Sequence, residues 1–77
     1  MTQPVQKPKG GALARLAGQL CQQSAFQRFA DVTSAEEAAD WIRHVCGVES
    51  RAELDHNAAA AKRFHDEIRR PYLRGRQ

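Results

Sequence analysis

Apolar residues recur along this chain with helical period, and no stretch alternates as a strand would. From Ala12 to Gln22, Leu13, Leu16, Ala17, Leu20 and Cys21 stand at i, i+3, i+4, i+7 and i+8, one face of an amphipathic helix. The phase breaks after Cys21. Phe26 and Phe29 miss that stripe, so a short second helix is expected over 25–30, with Ser24 as its N-cap and both phenylalanines as core anchors. Over 35–46 the stripe is Ala35, Ala38, Ala39, Ile42, Val45 and Cys46, widened by Trp41, with Glu36, Asp40, Arg43 and His44 on the other side. A short helical turn over 51–55 carries Ala52 and Leu54. A last helix over 58–70 buries Ala60, Ala61, Phe64 and Ile68.

The punctuation is densest between Thr33 and Asp55. Ser34 with Glu37 forms a capping box, and Glu36 and Glu37 suit the positive end of the helix dipole. Gly47 can adopt the left-handed conformation that ends a helix, with Val48 folding back as the apolar residue after it. Ser50 and Glu53 repeat the box, and Asn57 caps the last helix. Pro71 disfavours helical geometry in the residue before it, so that helix is expected to end at Arg70. Lys62–Asp66, Arg63–Glu67 and Asp66–Arg70 are spaced as i, i+4 ion pairs. Tyr72 and Leu73 either fold back onto the core or dock on a second copy. The expectation is an all-α fold: one compact domain over 12–73 with three longer helices (12–22, 35–46, 58–70) and two short ones (25–30, 51–55). A flexible basic arm over 1–11 precedes it, and a frayed basic tail over 74–77 follows.

Size and charge sharpen this picture. A chain of 77 residues builds only a small core, which makes a homodimer or a bound partner an expected source of extra stability. Cys21 and Cys46 both fall on apolar stripes, as buried reduced thiols of a cytoplasmic protein would. No apolar run reaches the roughly 20 residues of a membrane span. The net charge is +3, but residues 11–68 hold six basic and nine acidic side chains. The surplus sits at the ends, in Lys7 and Lys9 and in Arg69, Arg70, Arg74 and Arg76, with no acid among them. Arginine offers phosphate oxygens a fixed fork of donors, so these six are the candidate nucleic-acid contacts.

Other chemistry finds little support. His44, His56, His65 and the two cysteines show no C-x-x-C or H-x-x-x-H spacing for zinc. A buried thiol has its pKa raised, which works against an activated nucleophile. No glycine-rich loop follows a strand, and the adjacent Asp66 and Glu67 face solvent, so an enzyme is not expected and no cofactor is called for. The outline from Thr33 to Asp55 resembles a helix-turn-helix. Yet its second helix is short and sets Arg51 against Glu53 and Asp55, which would repel phosphate in a major groove. Base stacking on Phe26 or Phe29 would need an exposed ring beside basic residues, and Arg28 is the one such neighbour. The first helix carries a single charge, Arg15. Its small and weakly polar side, Ala14, Gly18, Gln19 and Gln22, is the candidate partner-binding face. Gly18 there suggests close approach of another helix, since glycine in a helix costs about 1 kcal/mol against alanine.

The runs KPKGGALARLAGQLC, EEAADWIRHVCGVESRAELD and AAAAKRFHDEIRRPYL, with the Phe26-x-x-Phe29 pair between the first two, resemble small helical proteins encoded by phages and prophages. The resemblance spans residues 7–73 and is sharpest over CGVESRAELD. It implies a setting in gene neighbourhoods for recombination and replication, inside a host cell, and assigns no catalytic residue. Two functional expectations follow: an accessory protein that grips DNA non-specifically through its basic ends, or a protein-binding module acting on a host or phage enzyme. A homo-oligomeric module stands behind them.

Overall fold

The computed structural model describes residues 11–75. Residues 1–10 of the expected basic arm, with Lys7 and Lys9, and the last two residues, with Arg76, lie outside the described residues. The order is α1 (Ala12–Cys21), α2 (Ser24–Ala30), α3 (Ala35–Cys46), a 3₁₀ turn (Arg51–Asp55), α4 (Ala58–Arg63), a π-helical segment (Phe64–Arg69) and α5 (Arg70–Arg74). The fold is all-α. α3 is its axis, packing against α1, α2, the 3₁₀ turn, α4 and the π segment. Ala38 and Ile42 on α3 are fully buried, as are Ala17, Phe26, Phe64 and Ile68 around them. Both cysteines are buried free thiols. Among the described residues, no helix is long and apolar enough to cross a membrane.

The caps around α3 form as its sequence implies, with one shift. Ser34 Oγ accepts from the Glu37 N–H at 3.0 Å. Glu37 reaches past Ser34 to Thr33, accepting from its N–H at 2.9 Å and its hydroxyl at 3.0 Å. Those two bonds hold the Glu37 carboxyl below its ordinary pKa. At the other end Gly47 takes φ +73°. Val48 N–H bonds the Arg43 carbonyl and Gly47 N–H the His44 carbonyl, which is a Schellman closure with Val48 buried behind it. The second box fails as a cap. Ser50 makes no side-chain bond to the 3₁₀ turn, while Glu53 accepts from the Glu49 N–H at 3.2 Å.

One further expectation is overturned at α2. Ser24 is its first helical residue and Gln23 the N-cap, whose side chain is drawn away to accept the Tyr72 hydroxyl at 2.8 Å. α2 also ends in a Schellman closure, with Asp31 in the left-handed region at φ +62° and Val32 N–H on the Gln27 carbonyl. Gln27 in turn donates to the last carbonyl of α1, Cys21 O, at 2.9 Å, so one side chain ties the two helices together.

The largest departure is at Pro71, where the helix does not stop. Helical backbone continues from Ala58 through Arg74, and Arg70 N–H bonds the His65 carbonyl five residues back. That wider turn draws carbonyls away from the position Pro71's ring would strike, and proline's missing N–H suits the start of the new α-helical stretch. Packing supplies the reason for the π segment. Ala60, Phe64, Ile68 and Tyr72 are all buried, at intervals of four. A regular α-helix advances about 40° beyond a full turn over four residues, so a stripe of period four drifts off the core. The π segment takes up the drift and returns Tyr72 to the interior. Tyr72 therefore folds onto its own chain, while Leu73 stays 52% exposed.

α1 has neither a side-chain N-cap nor an acidic first turn. Its end is completed from across the chain. Asp55 accepts from Gly11 N–H at 2.6 Å, Leu13 N–H at 3.0 Å and Ala14 N–H at 3.0 Å. A Cβ on Gly11 would stand 3.3 Å from that carboxylate, close enough to press on it. Burial pushes the Asp55 carboxyl up, but the three N–H donors, with His56 nearby, outweigh it and hold it below its ordinary pKa.

An unfolded aspartate ionises near pH 4. Asp55 ionises lower in the folded chain, so its stabilisation is complete above about pH 4 and is lost as pH falls through the lowered value. Asp55→Asn keeps the shape but turns an amide N–H₂ toward backbone donors. It is expected to melt below the wild type at pH 7, with the gap closing as pH falls below about 4 in thermal melts followed by circular dichroism. An equal gap at all pH values would refute this account.

Gly18 has room that it does not use. A Cβ there would meet Arg51 Cζ at 3.8 Å, ordinary van der Waals contact. Gly18→Ala is therefore expected to stabilise by about 0.5–1 kcal/mol, a rise of a few degrees in melting temperature. A fall would mean that the glycine is required for packing.

Candidate nucleic-acid interface

The arginines of the C-terminal end are mounted on a fixed element. Buried Tyr72 pins α5 to the body, its ring 5.2 Å from Phe26 and nearly perpendicular to it. Arg69, Arg70 and Arg74 are exposed around this anchor. Arg74, expected in a fraying tail, is the last residue of α5. Arg70 pairs with Asp66 at 3.1 Å, and Lys62 pairs with the same carboxylate at 2.6 Å. The Lys62 hydrogen bond, backed by the charges of Lys62 and Arg70, holds Asp66 below its ordinary pKa. Arg69 approaches His65 Nδ1 at 3.5 Å. The expected Arg63–Glu67 pair does not form. Arg63 instead lays its guanidinium against Gly47, 3.1 Å from where a Cβ would be.

These exposed ion pairs are screened by solvent and contribute little, so they leave Arg70 and Lys62 open to competing anions. Arg43 and Asp40 form another such pair on α3, remote from the basic end in sequence.

Beside α5 lies an open groove of about 440 Å³, lined by Ala25, Arg28, Phe29, Tyr72 and Gly75. It joins α2 to the end of the last helix. Phe29, expected as a core anchor, stands at the rim with 37% of its surface exposed, whereas Phe26 is fully buried. The i, i+3 spacing places both rings on one side of α2, but it does not say which reaches the interior. The sequence carries a weak pointer to this groove in the adjacency of Arg28 and Phe29. Their proximity to Tyr72 and Gly75 is a tertiary fact without a local signature.

The candidate face on α1 is divided. Gln19 and Gln22 are exposed, while Ala14 and Gly18 are half-buried. Gly18 lies under Arg51, and Ala14 gives its N–H to Asp55, so the small-residue flank is approached by the chain's own 3₁₀ turn. A second depression of about 460 Å³ adjoins this face, lined by Gln22, Cys21, Ala35, Glu36, Ala39, Asp40, Arg43 and Arg51. Its two arginines are matched by two carboxylates, which leaves no preference for either sign of ligand.

The thiols are set for packing. Burial pushes the Cys46 thiol up to about 11, with Glu67 adding to the rise and Arg63 opposing it. Burial also raises Cys21, against the opposing charge and hydrogen bond of Arg51 and the charge of Arg43. Among the described residues, no three His, Cys, Asp or Glu side chains are grouped to hold a metal ion.

No protein-family model, no curated protein and no solved structure matches this chain.

Both cysteines are expected to resist a thiol reagent at pH 8 in the folded protein and to react together once denaturant exposes them, as followed by the absorbance of the released chromophore. Fast stoichiometric labelling of the native protein would contradict the assignment.

Proposed function

We propose that this chain is a small accessory protein of phage or prophage DNA transactions, recombination or replication, that binds nucleic acid without sequence preference through its basic ends. The observation that carries the reading is the ordered basic helix end: Arg69, Arg70 and Arg74 project from a helix that Tyr72 fixes to the domain. A fixed array of guanidinium groups loses less conformational freedom on meeting a phosphate backbone than a loose tail does. The resemblance to phage-encoded helical proteins supplies the biological setting. The acidic surplus over residues 11–68 favours a polarised encounter, in which the body faces away from the polyanion.

The exposed Leu73, next to the anchoring tyrosine, favours a second reading. There the same helix end seats an apolar groove of a host or phage enzyme, or of a second copy.

Equilibrium binding to DNA across a salt series decides between them. Affinity is expected to fall steeply with salt, log K declining linearly with log salt concentration. Replacing Arg69, Arg70 and Arg74 together with glutamine should weaken binding at least 10-fold at low salt. The slope should become shallower by about one for each phosphate contact removed. No binding at low salt would end the nucleic-acid reading. Unchanged binding by the triple variant would move the contact elsewhere.

A further inference from the structure

We infer that the groove between α2 and α5 is a stacking site for an unpaired base, so that the nucleic acid bound is single-stranded, with Phe29 as the platform and Arg28 and Arg74 at the flanking phosphates. The inference rests on the nucleic-acid reading above and narrows it to a substrate class.

The geometry of Phe29 is the starting point. A large ring exposed at 37% in a domain with so small a core forgoes burial that would stabilise the fold. Yet the ring is held from three sides. Its centroid lies 5.8 Å from Phe26, 5.8 Å from Trp41 in a perpendicular contact, and 5.4 Å from Tyr72. Tyr72 is itself fixed by its hydrogen bond to Gln23. Phe29 is therefore presented in one orientation, and a base stacking on it would order no further side chain. Stacking on an aromatic ring is worth about 1–3 kcal/mol per base and does not depend on which base it is.

The walls suit a nucleotide. Among the described residues that line it, one is a cation and none is an acid. The groove's size falls within the range that holds a small ligand. Gly75 places no side chain over the mouth, and the preceding residue is Arg74. The C-terminal end of α5 contributes roughly half a negative charge, which the full positive charge of Arg74 outweighs.

Size argues against a protein occupant. A stable protein partner needs about 800 Å² on each side, and the large apolar side chains exposed among the described residues are Phe29 and Leu73. A duplex fits no better, because its bases are already stacked on both faces.

The test uses the full chain with a labelled 20-nucleotide oligothymidylate and a duplex of the same length, each titrated across a salt series. Single-strand affinity should exceed duplex affinity. Phe29→Leu, which keeps an apolar side chain at the rim but removes the π face, should weaken single-strand binding roughly 10-fold or more. Its salt slope should stay unchanged, since no phosphate contact is lost. Phe29→Trp should retain or strengthen binding, and circular dichroism confirms that each variant is folded. Should Phe29→Leu fail to fold, ultraviolet cross-linking of bromodeoxyuridine oligonucleotide to the wild type, mapped by mass spectrometry, must find Phe29 or Tyr72. Equal binding of both probes, unaffected by Phe29→Leu, would overturn the stacking site and leave binding by the basic ends standing. No binding of either probe at low salt would overturn both. A concentration-dependent dimer that Phe29→Leu abolishes would assign the groove to a second copy and also overturn the inference.

Discussion

The carboxylate of Asp55 closes the fold. α1 begins at a glycine, carries no acid in its first turn and offers no capping side chain of its own. Its free N–H groups are satisfied by a residue up to 44 positions later. That arrangement holds only if the 3₁₀ turn lies beside α1. The left-handed turn at Gly47 and the burial of Val48 direct the chain from α3 toward that position. The local stop signal of α3 and the remote cap of α1 thus act in series: one aims the turn, and the other fastens it. The stretch from Thr33 to Asp55 thus holds both α3 and the turn that packs against α1.

What could be read in advance follows from the range of each interaction. α3 was legible almost to the residue, because its box, dipole charges, stripe and glycine stop all act within a few positions. The N-cap role of Asn57 was legible for the same reason, its side chain accepting from Ala60 N–H at 3.1 Å. Asp55 as the cap of α1 was not, since a bond across most of the chain leaves no spacing to detect. Ser24 misled because a good capping residue sat one place too late, and Gln23 had a distant partner in Tyr72. Pro71 misled because the bias against α geometry in the residue before a proline is a local preference that packing can override: Arg70 takes φ −65°, ψ −46° while Tyr72 beyond it is buried. The basic ends were visible from composition alone. The groove beside them was not, because α2 and α5 meet only when the aromatic cluster assembles.

That cluster links stability to the proposed site. Phe26 is buried at its centre, with Tyr72 and Trp41 both edge-on to it. Phe29 extends the same cluster to the surface. Aromatic pairs in such arrangements contribute about 0.5–1.5 kcal/mol each beyond area burial. The rings that stiffen a small core therefore also hold the rim ring in place, and substitutions within the cluster act on both properties together.

The π segment makes the last helix behave as two rods keyed at a set angle. Lengthening the chain beyond Gly75 would leave that angle untouched. Removing one residue between Phe64 and Arg69 would bring Ala60 and Tyr72 to eleven positions apart, a span over which a regular α-helix turns only about 20° beyond three full turns. The shortened helix would close the wide turn and still present Tyr72 to the core. In sequences that share this architecture, a one-residue deletion within Phe64–Arg69 should therefore coincide with loss of the π segment, with the buried faces on either side of it kept in phase.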